Sequence, residues 1–223
     1  SEFNATGNGN RPVETVSWLD AVAFCTQLTT QEQAAGRLPA GWAYVLPTES
    51  QWEYACRAGT TSAYSWGASI ASSNANYNWD GGRDDGNDFK QTRDVGQYAA
   101  NPWGFFDMHG NVWEWTADWY QEAYPTGNPV VDPTGPASGS HLVKRGGSWG
   151  SAGTNLRSAW RWGWNENHHF LTIGFRVGFQ PVQPDTANPL LKLFGGASVT
   201  REAGQAWAEP GAAGHDARDG NLT

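Results

Sequence analysis

Two acids flank a glycine turn in Asp107-Met-His-Gly110-Asn-Val112-Trp-Glu114, a spacing that suits a hard cation. A calcium ion takes about six to eight oxygens from carboxylates and from carbonyls of a tightly turned backbone. Asp107 and Glu114 offer the carboxylates, and Gly110 and Val112 the carbonyls; the alternative is that Glu114 caps or salt-bridges within a turn. His109 lies inside the same turn and reads as a turn residue rather than a base. Cys25 and Cys56 read as buried thiols, with a single disulfide as the alternative. His168 and His169 are adjacent, so on a strand they point to opposite faces and do not share an ion. A metal-assisted hydrolase, with His109 or His169 moving protons, finds no convincing constellation.

A second concentration of chemistry lies between Ser148 and Gly174. Trp149, Trp160, Trp162, Trp164, His168, His169 and Phe170 alternate there with Asn155, Asn165, Glu166 and Asn167. A stretch this short has difficulty burying so many rings. Exposed Trp beside Asn or Glu suits a sugar or a peptide, because the ring stacks and the amide orients. The competing reading, a Trp-rich core plug, carries equal weight.

The elements that position these residues are also legible. Ser17 and Asp20 open a helix expected from Trp18 into the early thirties, with Ala21, Val22, Cys25 and Leu28 at helical spacing. Thr48 and Gln51 form a T-x-x-Q capping box for a short helix with Trp52, Ala55 and Cys56 on one face, ended by Gly59. From Thr60 to about Pro136, Gly, Asn, Asp, Ser and Trp dominate, which predicts long loops pinned by short strands. Asp80, Asp84 and Asp85 read as a solvated loop. Residues 141–149 and 174–179 are expected to be strands.

Of the 223 residues only 16% are charged, against 28 Gly and 14 Trp, a balance that favours turn-rich structure built on aromatic plates over long amphipathic helices. The net charge of −8 argues against a nucleic-acid partner, since phosphate binding needs a basic face. No apolar run reaches the roughly 20 residues that span a bilayer. After Gln180 the composition shifts to Pro, Ala, Gly and Asp.

Four strings in order, Leu46-Pro-Thr-Glu-Ser-Gln-Trp-Glu-Tyr54, Gly104 through Trp115, Arg145-Gly-Gly-Ser-Trp149 and Ile173-Gly-Phe-Arg-Val177, resemble the sulfatase-modifying-factor family, which includes the formylglycine-generating enzyme. The resemblance covers residues 1–179. It implies an α+β, C-type-lectin-like fold with little regular secondary structure, its opening strands and helix lying upstream of Ser1. The family's calcium roles map onto Asp107, Gly110, Val112 and Glu114. A second set maps onto Asn76, the Tyr77 carbonyl, Asn87 or Asp88, and the Phe89 carbonyl, so one or two structural calcium ions are expected. Family disulfide partners fall here on Ser158 and Val177, and Arg157, Arg161 and Arg176 match arginines expected to tie loops to carbonyls and acids.

The family's oxidase binds copper through two cysteines soon after the Gly-Gly-Ser string. Here the first position falls on Ser151 and the second in a shorter loop near Gly153, so copper and formylglycine generation are not expected. The ergothioneine-type branch uses histidine-bound iron and an added helical domain, which nothing in the sequence supplies. In the family the last loop borders the active cleft, and in related diversity-generating proteins it carries the binding surface. The expected binding residues are therefore Ser148, Trp149, Ser151, Asn155, Trp162, Trp164, Asn165, Glu166, His168, His169 and Phe170. Residues 197–204 and 212–223 resemble the opening of bacterial immunoglobulin-like surface repeats. The expected map is a family domain over 1–180, a linker over 181–190 and a partial repeat over 191–223. The expected protein is a non-catalytic, calcium-stabilised binder of a peptide or glycan, monomeric as a fragment and derived from a secreted or surface parent.

Overall fold

A computed structural model of the chain describes residues 9–78, 89–123 and 132–182, and the backbone of 190–193, 198–200, 212–216 and 220–222. Asn87, Asp88 and the acids at 80, 84 and 85 lie outside the described residues, as does most of the expected linker.

Helix α1 (Trp18–Ala34) opens on the predicted capping box: Ser17 accepts from the Asp20 N–H, and the Asp20 carboxylate accepts from the Ser17 N–H at 2.9 Å. Helix α2 (Glu49–Arg57) repeats the device with Thr48 and Gln51, then ends on Ala58 in the left-handed region, with Gly59 following at φ 84°. Between them runs β1 (Trp42–Val45).

The central sheet holds β2 (Trp113–Trp119), β3 (Leu142–Arg145), β4 (Arg161–Trp164) and β5 (Ile173–Phe175) in the order β4-β3-β2-β5. The β2–β5 pair is parallel, and the other two pairs are antiparallel. The predicted strand over 174–179 is in fact two: β5 joins the central sheet, while β6 (Gly178–Pro181) leaves to pair antiparallel with β1. At the switch, a Cβ on Gly178 would stand 3.3 Å from the Pro47 nitrogen, so glycine favours the close approach of the backbones there. The segment expected to be long loops pinned by short strands contains the central strand β2, whose Trp113, Trp115 and Ala117 alternate with Glu114, Thr116 and Asp118. Strands β7 (Leu190–Leu193), β8 (Ser198–Thr200), β9 (Ala212–Asp216) and β10 (Gly220–Leu222) form a separate sheet in the order β10-β9-β7-β8.

Residues opposite one another across the ladders share a face. Trp115, Lys144 and Trp162 stand on one face, and Glu114, Arg145 and Arg161 on the other. The first face packs on α1 through Ala21, Cys25, Leu46, Trp113, Trp115, Leu142 and Ile173. Two indoles secure it: Trp115 donates to the Val16 carbonyl at 3.0 Å, and Trp18 donates to the Thr116 carbonyl at 2.9 Å. The second face receives α2, whose Trp52 and Cys56 cluster with Met108.

Candidate functional site

The aromatic stretch is half strand and half tied loop. Glycine at position 163 in β4 leaves room for the Tyr120 ring, while Trp162 and Trp164 project to the α1 face of the sheet. They reach its open margin, 46% and 39% exposed, and Phe170 is 55% exposed. The plug reading therefore fits Trp160, which packs against the core, but not Trp162 or Trp164.

The loop beyond β4 is fixed by its own bonds. Asn167 N–H donates to Asn165 Oδ1 at 3.0 Å, and His168 N–H donates to the Asn165 carbonyl at 3.1 Å. Trp18 and Thr15 amides donate to the Glu166 and Phe170 carbonyls at 3.1 and 3.2 Å, fastening the loop to the start of α1. His168 leans on Trp164, ring centroids 4.6 Å apart, and lies nearly parallel to Phe170.

The predicted binding residues do not all reach this surface. Trp162, Trp164, Asn165, His169 and Phe170 are exposed, and Trp149, Asn155, Glu166 and His168 are half-buried. Ser148 and Ser151 lie beneath it: their hydroxyls are 3.1 Å apart, Ser148 N–H donates to Ser151 Oγ, and both residues are buried. Trp149 turns its indole N–H to the Leu171 carbonyl at 3.2 Å.

Sequence reasoning missed Lys144. It is 7% exposed, with its ammonium over Trp113 at 5.0 Å and Trp164 at 5.4 Å. Burial pulls its pKa down to about 8. The same ammonium contributes, after burial, to lowering the His168 pKa, with His169 adding further. No local pattern in Leu142-Val-Lys-Arg145 marks it; the register across the sheet sets it between Trp115 and Trp162.

The two segments expected to hold calcium touch. Asn111 N–H donates to the Asn76 carbonyl at 2.9 Å, and Asn76 Nδ2 donates to Asn111 Oδ1 at 3.2 Å. A Cβ on Gly110, at φ 88°, would collide with that Asn76 carbonyl. Asn76 Oδ1 is buried without a hydrogen-bond partner, the state expected of an oxygen that faces a cation. Phe89 lies under the Arg93 guanidinium at 4.4 Å.

The first predicted set is occupied differently. Glu114 sits on β2 rather than in a loop, and its carboxylate accepts from Trp52 Nε1 at 2.7 Å and from Arg176 at 2.8 and 3.0 Å. Asp107, at φ 56°, accepts from Gly96 N–H at 2.7 Å. Burial raises its pKa, and nearby Arg176 opposes the rise. Asn111, absent from the sequence-derived set, is the cross-link: its side chain also bonds the Arg93 backbone twice, and its carbonyl accepts from Trp149 N–H.

On the α2 face, Arg145 is fully buried and spans Glu49, Glu53 and the Ser158 and Trp160 carbonyls. Arg161 grips Glu49 through Nε and Nη2, and its Nη1 donates to the Gln121 carbonyl. Arg157 donates to the Thr154 carbonyl at 2.8 Å. The three arginines expected to be structural make such ties.

The cysteines are free and belong to different core clusters. Burial pushes the Cys56 thiol up to about 12. His109 is buried; its Nδ1 lies 2.6 Å from the Leu156 carbonyl, and its Nε2 accepts from Ser65 N–H at 3.2 Å. Burial holds its pKa down at about 4, so the ring is a neutral structural tie rather than a solvent-facing base. A groove of about 290 Å³, lined by Trp52, Phe105, Met108, Arg176 and Phe179, opens elsewhere. Among the described residues no three His, Cys, Asp or Glu side chains gather as a metal cluster, and no helix is long and apolar enough to cross a membrane.

Two helices and short open sheets joined by long loops, with a fixed aromatic stretch before the last core strand, define a C-type-lectin-like α+β fold of the formylglycine-generating-enzyme type. The family description "Sulfatase-modifying factor enzyme 1-like domain" matches residues 2–180, and the chain belongs to this family. It is 37% identical over 147 residues to the formylglycine-generating enzyme of Mus musculus, covering 63% of this chain and 36% of that one. The Streptomyces coelicolor enzyme of the same name is 37% identical over 154 residues, covering 65% and 44%. A Chlamydia caviae serine/threonine-protein kinase, pkn1, is 34% identical over 173 residues, covering 76% and 24%. The chain thus spans less than half the length of these relatives. Among solved structures, Treponema denticola variable protein 1 superposes with a TM-score of 0.66 at 28% identity, covering 79% of this chain and 74% of that one. PvdO from Pseudomonas aeruginosa gives 0.63 at 25%, covering 77% and 62%.

Proposed function

We propose that this family member is a recognition module that binds a peptide or glycan through the face formed by Trp162, Trp164, His168 and Phe170. The observation that carries the reading is the exposure of these rings on a strand and loop held by backbone bonds, because preorganised aromatic surface costs little ordering on binding. Asn165 and Glu166 offer polar groups to orient a ligand between the rings.

Calcium is proposed as a structural ion. Asn76 Oδ1, with the Tyr77 and Phe89 carbonyls and Asn87 or Asp88, would hold it in one place, and the unpartnered buried Asn76 oxygen supports that fit. Asp107, Gly110, Val112 and Glu114 would hold a second ion. That set fits less well, because Arg176 already neutralises Glu114. A bound ion would cross-link loops and do no chemistry. A secreted or surface-attached parent and a monomeric state belong to the same proposal.

Formylglycine generation is the competing reading, favoured by the names of several relatives. Against it stand Ser151, paired with Ser148 where a thiolate is needed, and a Cys56 thiol held protonated in the core.

Binding of the purified chain to a mixed glycan and peptide array, with calcium and with chelator, tests the proposal beside the Trp162→Ala/Trp164→Ala double variant. Calcium-dependent binding lost in the variant is expected. No binding by a folded sample sinks the reading, and oxidation of a cysteine-containing sulfatase peptide would replace it.

A further inference from the structure

Lys144 is the buried cation on the sheet for which no acid answers. Its neighbour Arg145 has two glutamates and two carbonyls. Among the described residues Lys144 forms no ion pair and no side-chain hydrogen bond; two indole faces are its company. Ring faces attract the charge but leave three N–H donors without oxygen acceptors. Glu166 is the one acid between residues 161 and 172, and it makes no ion pair with Lys144. An ammonium in this condition takes its acceptors from outside the fold, from water or from a ligand.

Its position says what that partner would be. Lys144 lies opposite Trp162 in the β3–β4 ladder and beneath exposed Trp164, which itself leans on His168. A ligand resting on Trp162 and Trp164 brings its substituents to the edge where the ammonium emerges. Burial also pulls the amine down to about 8, so an anion that restored the full charge would gain by doing so. Resting on the recognition reading above, we propose that Lys144, Trp164 and His168 form a carboxylate subsite, and that the preferred ligand carries an acid group beside the ring face it stacks. A uronic or sialic acid and an acidic peptide share this chemistry.

Matched probes separate the sources. A glucuronate-terminated disaccharide is compared with its glucose-terminated counterpart, and N-acetyl-Trp-Glu with N-acetyl-Trp-Gln. The acidic member of at least one pair is expected to bind at least about tenfold tighter, with the preference collapsing in Lys144→Met and surviving in part in Lys144→Arg. A readout independent of any variant comes from the chain having only three lysines, Lys90, Lys144 and Lys192. In a ¹³C-lysine-labelled sample, the acidic probe should raise the titration midpoint of the Lys144 amine, while its neutral twin leaves it in place. Equal binding of acidic and neutral members, a preference that persists in Lys144→Met, or an unmoved amine overturns the subsite. If neutral members still bind through Trp162 and Trp164, the recognition reading stands alone; if neither kind binds a folded sample, both fall.

Discussion

Lys144 and Arg145 are consecutive on β3, and the sheet sends them to opposite faces. Arg145, with no exposed surface, is enclosed by acids and carbonyls supplied by α2 and the 158–160 segment. Lys144, 7% exposed, meets tryptophan faces and no acid among the described residues. Two cations of the same strand thus serve different ends: one closes a polar network that holds the fold, and the other leaves charge unspent at a surface. A charge enclosed by acids is structural, and one at the sheet margin with no acid partner points outward.

The contrast is sharpest in stability. Arg145→Met leaves Glu49 to Arg161 and Glu53 to Arg57 but removes the buried cation between them and unpairs the Ser158 and Trp160 carbonyls, and should cost about 3–5 kcal/mol in denaturant unfolding; a loss below about 1 kcal/mol would mean that the network adds little. His109 lies on the same side, where Gly110 N–H bonds the Gly146 carbonyl. Its folded pKa of about 4 is below the ordinary 6.5, so its contribution is complete above pH 6.5 and is lost as pH falls toward 4. The loss should approach about 3 kcal/mol. Unfolding curves of wild type and His109→Gln from pH 7.5 to 4 check this, because the variant should lack that slope. Gly110→Ala should cost about 1–3 kcal/mol through positive φ and collision with the Asn76 carbonyl. Lys144→Met should leave stability unchanged or raise it by up to about 1 kcal/mol, since it removes a desolvated charge with no acid partner. A loss like that of Arg145→Met would erase the distinction between the faces.

Much of this was legible from side-chain chemistry. Both helix starts follow from Ser17/Asp20 and Thr48/Gln51, because a capping box is local and its partners are three residues apart. The family itself followed from four ordered strings that the fold brings around one sheet. What the sequence hid was long-range. Trp113-Glu-Trp-Thr116 alternates as a strand should, but it follows directly on the turn at Gly110, whose composition is that of a loop. The division of residues 173–181 between two sheets brings Gly178 against Pro47, a contact no local pattern announces. The Glu114–Arg176 pair joins residues 62 apart, and the burial of Ser148 and Ser151 depends on the path of the turn around them.

The parallel pairing of β2 with β5 has a kinetic consequence. Trp113 and Ile173 meet only after the intervening chain has threaded through β3, the 3₁₀ turn at Gly153–Leu156 and β4. Closing so long a segment is entropically uphill until its last contacts form, so this step belongs late in folding. The aromatic loop lies immediately before β5, and its Phe170 carbonyl accepts from the Ile173 amide as well as from Thr15. A nascent chain would therefore present scattered indoles to chaperones and aggregation partners, and acquire its ordered face only when the final core strand has docked.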